Sequence, residues 1–176
     1  VSQRESVVPE SVVVDLKAAF ADDPQIVGFT RALFDNVSMF NRDSGQLLPL
    51  SFLLGLDPDE VDTIGGIPAL DGGRLNLDVL GERGVILNQT AARELAAEPG
   101  HIIEISVRRV RQEFEVVAIA NDTLLSGEVN PIEAQGAVIR LNDAQAIFDQ
   151  EGFVTGIGVT TVGSGGGALK IADAVD

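Results

Sequence analysis

The chain of 176 residues contains no cysteine, no tryptophan and no tyrosine, and its single histidine is His101. Without cysteine it can form no disulfide framework, thiol nucleophile or Cys/His zinc site. One histidine with no nucleophile motif such as G-x-S-x-G nearby makes no catalytic triad. These absences remove thiol, Cys/His zinc and triad chemistry, the residues single out no catalytic, cofactor-binding or metal-binding position, and we expect a structural or surface role for His101.

Long apolar runs are also missing. The longest nearly apolar stretch, Leu47 to Leu56, contains Pro49 and Ser51, and it is far shorter than the roughly 20 residues that cross a bilayer. The sequence starts at Val1 with no charged segment leading into an apolar targeting core. We expect it to be a piece of a larger protein.

Positive charge is scarce. The chain has 12 basic and 27 acidic residues, a formal net charge of −15, and its only lysines are Lys17 and Lys170. Such a charge repels phosphate backbones, so nucleic acid is excluded as a partner. The balance predicts a solvated acidic surface around a folded core, because 45% of the residues are hydrophobic.

Two motifs suggest ligands but lack the required spacing. Gly163, Gly165 and Ala168 fit the dinucleotide pattern G-x-G-x-x-A, yet the chain ends before the acidic residue that this pattern needs about 20 positions later. The acidic run at Asp57, Asp59, Glu60 and Asp62 lacks the spacing of a calcium loop and predicts a solvated turn. We interpret 163–167 as a flexible bend that leads into a helix from Ala168 to Asp176.

The first third of the chain predicts a helix and a long hairpin. Pro9, Glu10 and Ser11 open a helical pattern through Phe20, with Val12, Leu16, Ala19 and Phe20 on its apolar face. Strand patterns at Gln25–Asn41 and Leu47–Leu56 flank a turn.

Large apolar side chains stand near this turn, at Phe34, Val37, Met39 and Phe40. They face either a core or a partner, since exposed apolar patches are uncommon on soluble monomers. For the partner alternative we select Phe34, Met39 and Phe40 as contact residues.

The remaining elements alternate without the regular βαβα order of a nucleotide-binding sheet. A turn-rich segment, Asp57 to Gly84, marks a lobe boundary. Strands are predicted at Gly84–Leu87, His101–Val107, Glu113–Ala120, Ala137–Leu141 and Val154–Val162, and helices at Gln89–Ala97, capped by Asn88, and Ala144–Gln150, capped by Asn142 or Asp143. The pattern predicts a mixed α+β fold.

The stretch from Leu54 to Val159 resembles the extracytoplasmic domain of FtsX-like ABC transporter permeases, also called the MacB-like periplasmic core domain. The run GVILNQTAARELAAEPGHIIEI, Gly84 to Ile105, is similar to its most recognisable part. Further matching pieces are Leu54–Pro58, Gly73–Leu75, Phe114–Ile119, Val138–Phe148 and Val154–Val159. The chain departs from the family at His101, where Asp is common, and at Ala118, where Gly is common.

The resemblance implies a two-lobed domain. A membrane-proximal, sandwich-like α/β lobe with βαβ units would comprise residues 1–56 and 133–176, and a smaller mixed α/β lobe, residues 57–132, would be inserted. It implies no active site, and no cofactor of its own, because a separate cytoplasmic subunit or domain hydrolyses ATP.

The resemblance also implies a place and partners. The domain would lie outside the bacterial cell membrane as a fragment of an integral membrane protein, a dimeric permease. It would reach the ATP-binding subunit through membrane helices and would handle a substrate or an extracytoplasmic partner protein. The alternative is a free secreted or cell-surface binding module of the same fold.

Overall fold

A computed structural model describes residues 7–63, 66–108, 110–122, 135–162 and 171–172. Within these ranges the helices are α1 (Ser11–Ala19), α2 (Pro58–Thr63), α3 (Gln89–Glu94) and α4 (Leu141–Phe148), with a 3₁₀ helix at Leu77–Leu80. The strands are β1 (Val8–Pro9), β2 (Ile26–Asn41), β3 (Leu47–Leu56), β4 (Ile67–Pro68), β5 (Arg74–Leu75), β6 (Gly84–Asn88), β7 (Ile102–Val107), β8 (Val110–Ala120), β9 (Gly136–Arg140), β10 (Phe153–Val154), β11 (Gly156–Thr161) and β12 (Ile171–Ala172). The predicted α+β class is confirmed.

Six strands close into a ring in the order β2, β3, β9, β6, β8, β7 and back to β2. The β3–β9 and β6–β8 pairs are parallel and the others are antiparallel. Closure depends on the length of β2. Its first part pairs with β11, whereas Ser38–Asn41 pairs with β7. A register shift against β3 between Val37 and Met39 marks an irregularity of the kind that bends a strand.

The sheet is packed on both faces. The larger hydrophobic cluster joins α3 and α4 to side chains such as Leu33, Val116 and Ile139. A second cluster joins the opposite face to α2 and the 3₁₀ helix through Val61 and Leu77. Strands from 57–132 and strands from outside this range therefore share one ring, and the division into two lobes stays a prediction.

Several predicted elements are confirmed, including the hairpin of β2 and β3 and the cap of α3, where the Asn88 side chain accepts a hydrogen bond from the Ala91 N–H at 2.9 Å. The predicted cap of α4 is wrong. Arg140 occupies the N-cap position without a capping side-chain bond, so neither Asn142 nor Asp143 begins the helix.

Two predictions near the chain ends need correction. The predicted apolar face of α1 is wrong, because Val13 is buried while Val12, Ala19 and Phe20 are exposed. The predicted C-terminal helix is wrong at Ile171–Ala172, which pairs antiparallel with β11 as a strand. The bend at 163–167 lies outside the described residues.

Candidate functional site

The turn of the long hairpin is fixed against the end of α3. The buried Asn41 amide donates from Nδ2 to the carbonyl oxygens of Leu95 and Ala96 at 3.0 and 3.3 Å. The Ser44 hydroxyl donates to the same Leu95 oxygen at 2.6 Å. His101 joins this contact, with Nδ1 at 3.2 Å from Asn41 Nδ2. The histidine thus lies in a contact that holds the hairpin.

The three predicted contact residues are not on one surface. Met39 is 0% exposed and belongs to the larger core cluster, as does Leu48, its cross-strand neighbour. Phe34 and Phe40 are half-buried and project from the other face of β2. Phe34 stacks on Phe52 of β3 with ring centroids 5.4 Å apart. Met39 is therefore corrected to a core residue, and a contact role for Phe34 and Phe40 stays a prediction.

The outward face of the hairpin carries two exposed leucines that the sequence reasoning missed. Leu47 and Leu50 are 61% and 65% exposed. Leu47 lies directly opposite Phe40, and Phe52 lies opposite Asn36 on the same face. Regular alternation in β3 could not have found them, because Leu48 and Ser51 both point inward with two outward residues between them, at the register shift against β2. We call Phe34, Phe40, Leu47, Leu50 and Phe52 the hairpin face.

A second concentration of functional groups surrounds Arg31 on β2. Its backbone N–H donates to Glu60 Oε2 at 2.7 Å, and its Nε donates to Glu60 Oε1 at 3.0 Å. The guanidinium also pairs with Asp57 and with Glu10, the latter at 3.3 Å. Lys17 of α1 adds a bond to Glu60 Oε1 at 2.8 Å. We call these five side chains the Arg31 cluster.

The electrostatics of the Arg31 cluster favour its charged form. Burial by itself would raise the pKa of Glu60, but the bonds from Lys17 and Arg31 outweigh it and leave that pKa below its ordinary value. Burial likewise opposes the charge on Arg31, and Glu60, Glu10 and Asp57 outweigh it, so the pKa of Arg31 is raised. The cluster joins α1, β2 and the start of α2 by ionic contacts.

These contacts also account for the acidic run at the start of α2. Asp57 and Glu60 bind Arg31 instead of forming a calcium loop. Among the described residues, no group of three or more His, Asp or Glu side chains is placed to hold a metal ion. The helices in the described ranges include none that is long and apolar enough to cross a membrane.

Two open grooves flank the cluster. One, of about 430 Å³, runs between α1 and the start of β2 and is lined by Lys17, Phe20, Val27, Phe29 and Glu60 among others. The other, of about 240 Å³, lies between the start of α2 and the start of α4. The described lining of the two grooves carries charged groups, which include Lys17 and Glu60 in the larger one and Asp57, Asp59, Asp78 and Arg140 in the smaller one.

The fold is similar to that of two solved transporter domains. One is the extracellular domain of the noncanonic ABC-type transporter YknZ from Gram-positive bacteria, with a TM-score of 0.63, 15% identity, and coverage of 90% of this chain and 75% of that one. The other is the periplasmic region of MacB from Actinobacillus actinomycetemcomitans, with a TM-score of 0.60, 14% identity, and coverage of 89% and 66%. At the level of fold, the resemblance to a MacB-like periplasmic domain is confirmed.

Sequence comparison alone adds nothing to this likeness. No protein-family model matches the chain, and no curated protein sequence matches it.

Proposed function

We propose that this chain is the extracytoplasmic domain of an FtsX/MacB-like ABC transporter permease. In this role it is not a catalyst, and it couples ATP hydrolysis on the cytoplasmic side to the handling of a substrate or partner protein outside the membrane. The observation that carries the proposal is the likeness in fold, over about nine tenths of the chain, to two domains of ABC transporters. A shared fold alone does not fix a function. The outer strands and the Arg31 cluster add support.

The position of the first and last described strands supports this role. β1 pairs with β10 at Val154, and β12 pairs with β11 at Ile157, only three positions further along the same segment. The two outer strands therefore lie close together. A domain inserted between two consecutive membrane helices needs its first and last strands to lie near each other.

The Arg31 cluster supports a coupling role. Val13 is the only buried residue of α1, and the cluster adds an ionic contact from Lys17 to α2 and one from Glu10 to β2. Glu10 just before the helix and Lys17 within it both bind groups of the cluster. A displacement of the N-terminal segment would be passed to β2 through partly buried ionic contacts, which resist stretching more than exposed pairs do.

The source gene provides the first test. We expect about 30 codons on each side of the segment to encode a helix of roughly 20 apolar residues. Apolar helices on both sides support the permease. A signal peptide upstream and a stop codon close to Asp176 would favour the free secreted or cell-surface module instead, and polar flanks on both sides would reject the permease.

The second test measures coupling in the full permease with its ATP-binding subunit, reconstituted in proteoliposomes. We expect Arg31→Ala to lower the stimulation of ATP hydrolysis by substrate or partner while leaving the unstimulated rate unchanged. The matched control is Arg74→Ala, which removes an exposed hydrogen bond to the Gly66 carbonyl outside the cluster. Equal stimulation in the two variants would contradict a role of the Arg31 cluster in coupling.

A further inference from the structure

The hairpin face lies along one side of β2 and β3, with the polar Asn36 and Ser38 between Phe34 and Phe40 on β2. Phe34 and Phe52 stack where the second core cluster ends, and both pack against that cluster. Further along the hairpin, Leu50 and then the Leu47–Phe40 pair extend the same face toward the turn. Side chains of directly paired residues lie on the same face of a sheet, so the register places Phe34, Phe40, Leu47 and Phe52 on one face. Leu50 lies in the register irregularity beside them and is 65% exposed.

Two acidic residues continue this surface across the ring. Phe40 of β2 lies opposite Glu104 of β7, and Glu104 lies opposite Glu113 of β8. The row Leu47, Phe40, Glu104, Glu113 thus crosses four strands, two apolar groups followed by two carboxylates. Like charges directly opposite each other destabilise a sheet, and a basic group placed over them would relieve that repulsion.

The arginines that now accompany these carboxylates are weak partners. Arg111 contacts Glu104 at 3.5 Å with 74% of its side chain exposed, and Arg42 pairs with Glu113 in a similarly exposed position. Exposed pairs of this kind contribute between 0 and about 1 kcal/mol. Both arginines can therefore turn away at little cost when another cation approaches.

Size and charge determine which occupant fits. The hairpin face consists of five side chains, three of which are half-buried, and the largest apolar patch on a typical monomer is roughly 300–600 Å². A stable dimer needs about 800 Å² from each subunit, and a second copy of this chain would bring another net charge of −15. A second copy is therefore a poor fit.

We propose that the hairpin face, with Glu104 and Glu113 beside it, is a docking surface for a segment of a partner polypeptide that carries apolar side chains next to basic ones. Apolar groups of the partner cover Leu47, Leu50 and Phe40, and its lysine or arginine side chains pair with the two carboxylates. The interface is small, so binding is transient and weakens with salt. This inference does not depend on the permease assignment.

Two synthetic helical peptides of about 15 residues test the proposal. They share one leucine stripe, flanked by lysine in one peptide and by glutamate in the other. Amide chemical shifts of the ¹⁵N-labelled 176-residue chain are recorded during titration with each peptide. We expect the lysine peptide to shift amides of β2, β3 and β7 at the hairpin face, and the glutamate peptide to bind at least about tenfold more weakly.

Variants assign the binding to the proposed groups. The double variant Leu47→Ser/Leu50→Ser should weaken the lysine peptide about tenfold, and Glu104→Gln should weaken it about threefold and reduce the preference for lysine over glutamate. The control is Leu70→Ser, which changes a leucine that is 49% exposed outside the hairpin and should leave binding unchanged. Circular dichroism checks that each variant is folded.

Four outcomes of the peptide titrations would overturn the proposal. These are no binding of the lysine peptide, equal binding of both peptides, binding that survives the double variant, and shifts confined to other strands. Light scattering and co-sedimentation with phosphatidylglycerol vesicles test the competing occupants. A dimer, or vesicle binding, that the double variant abolishes would identify a second copy or a lipid surface instead. None of these measurements involves ATP or membrane helices. A result that overturns the docking surface therefore leaves the permease proposal unaffected.

Discussion

At the scale of single residues, Glu60 is the central acceptor of the Arg31 cluster. It accepts hydrogen bonds from the backbone and side chain of Arg31 and from Lys17, and it is nearly buried. Glu60→Gln keeps the shape but places amide hydrogens against donors, removes the carboxylate that pairs with Lys17, and leaves Arg31 with Asp57 and Glu10 as its counter-ions. We expect the free energy of unfolding at pH 7 to fall by about 1–3 kcal/mol, measured by urea denaturation.

The pH dependence of this effect follows from the lowered pKa of Glu60. A carboxylate whose pKa is lower in the folded state stabilises the protein fully above its unfolded pKa, near 4.5, and loses that contribution as the pH falls further. The difference between wild type and Glu60→Gln should therefore be constant from pH 6 to 8 and shrink below about pH 4.5. Glu113→Gln, in an exposed pair, is the control and should change stability by less than about 1 kcal/mol. A difference that grows on acidification would contradict this account.

Met39 and Leu47 are neighbours in the hairpin, but one lies in the core and the other on the surface. Met39 is fully buried and Leu47 is 61% exposed, although the two residues belong to adjacent cross-strand pairs. Met39→Ala should lower the free energy of unfolding by about 2–5 kcal/mol because it leaves a cavity. Leu47→Ala should change it by no more than about 0.5 kcal/mol. Similar losses in both variants, measured by thermal and urea unfolding, would mean that the hairpin face is covered within the chain.

At the scale of elements, the sequence predicted a feature correctly where that feature depends on one side chain and the backbone next to it. The Asn88 cap of α3 was predictable because Asn before a helix accepts from the third backbone N–H. The buried face of α1 was not predictable from the sequence. The three consecutive valines, Val12 to Val14, allow several apolar helical faces, and packing against the rest of the fold buries Val13. For the hairpin face, the sequence indicated apolar groups near the turn, but their inward or outward direction depends on the irregular register between β2 and β3.

The packing of α4 on β3 requires a residue without a side chain at Gly55. A Cβ atom built there would overlap the Cβ of Ala144 and lie 3.4 Å from the Cα of Leu141. Gly55→Ala must therefore push α4 away from the sheet, and we expect a loss of about 1–3 kcal/mol from overpacking. The second variant Gly55→Ala/Ala144→Gly removes the overlapping atom and should recover part of this loss. No recovery in denaturant melts would show that Ala144 is not the obstacle.

At the scale of the whole molecule, the α+β class follows from the alternating patterns, but the closed ring does not. Its closure depends on the pairing of Ser38–Asn41 with β7, more than 60 positions along the chain. Hydrophobic alternation tells which face of a strand is buried and leaves open which strand lies beside it. The same holds for the Arg31 cluster. Arg31, Glu60 and Glu10 are ordinary charged residues in the sequence, and only the fold brings them together.

The ring makes a prediction about cooperativity that bears on the proposed division into lobes. Leu33 lies in the range predicted for the membrane-proximal lobe and Val116 in the range predicted for the inserted lobe, yet both belong to the larger core cluster. We therefore expect one calorimetric transition whose van't Hoff and calorimetric enthalpies agree. Leu33→Ala and Val116→Ala should both lower the midpoint temperature of this same transition. Leu33→Ala should lower the free energy of unfolding by about 2–5 kcal/mol, and Val116→Ala by somewhat less because valine is smaller. Two separate transitions, each moved by only one of the variants, would show instead that residues 57–132 unfold independently of the rest.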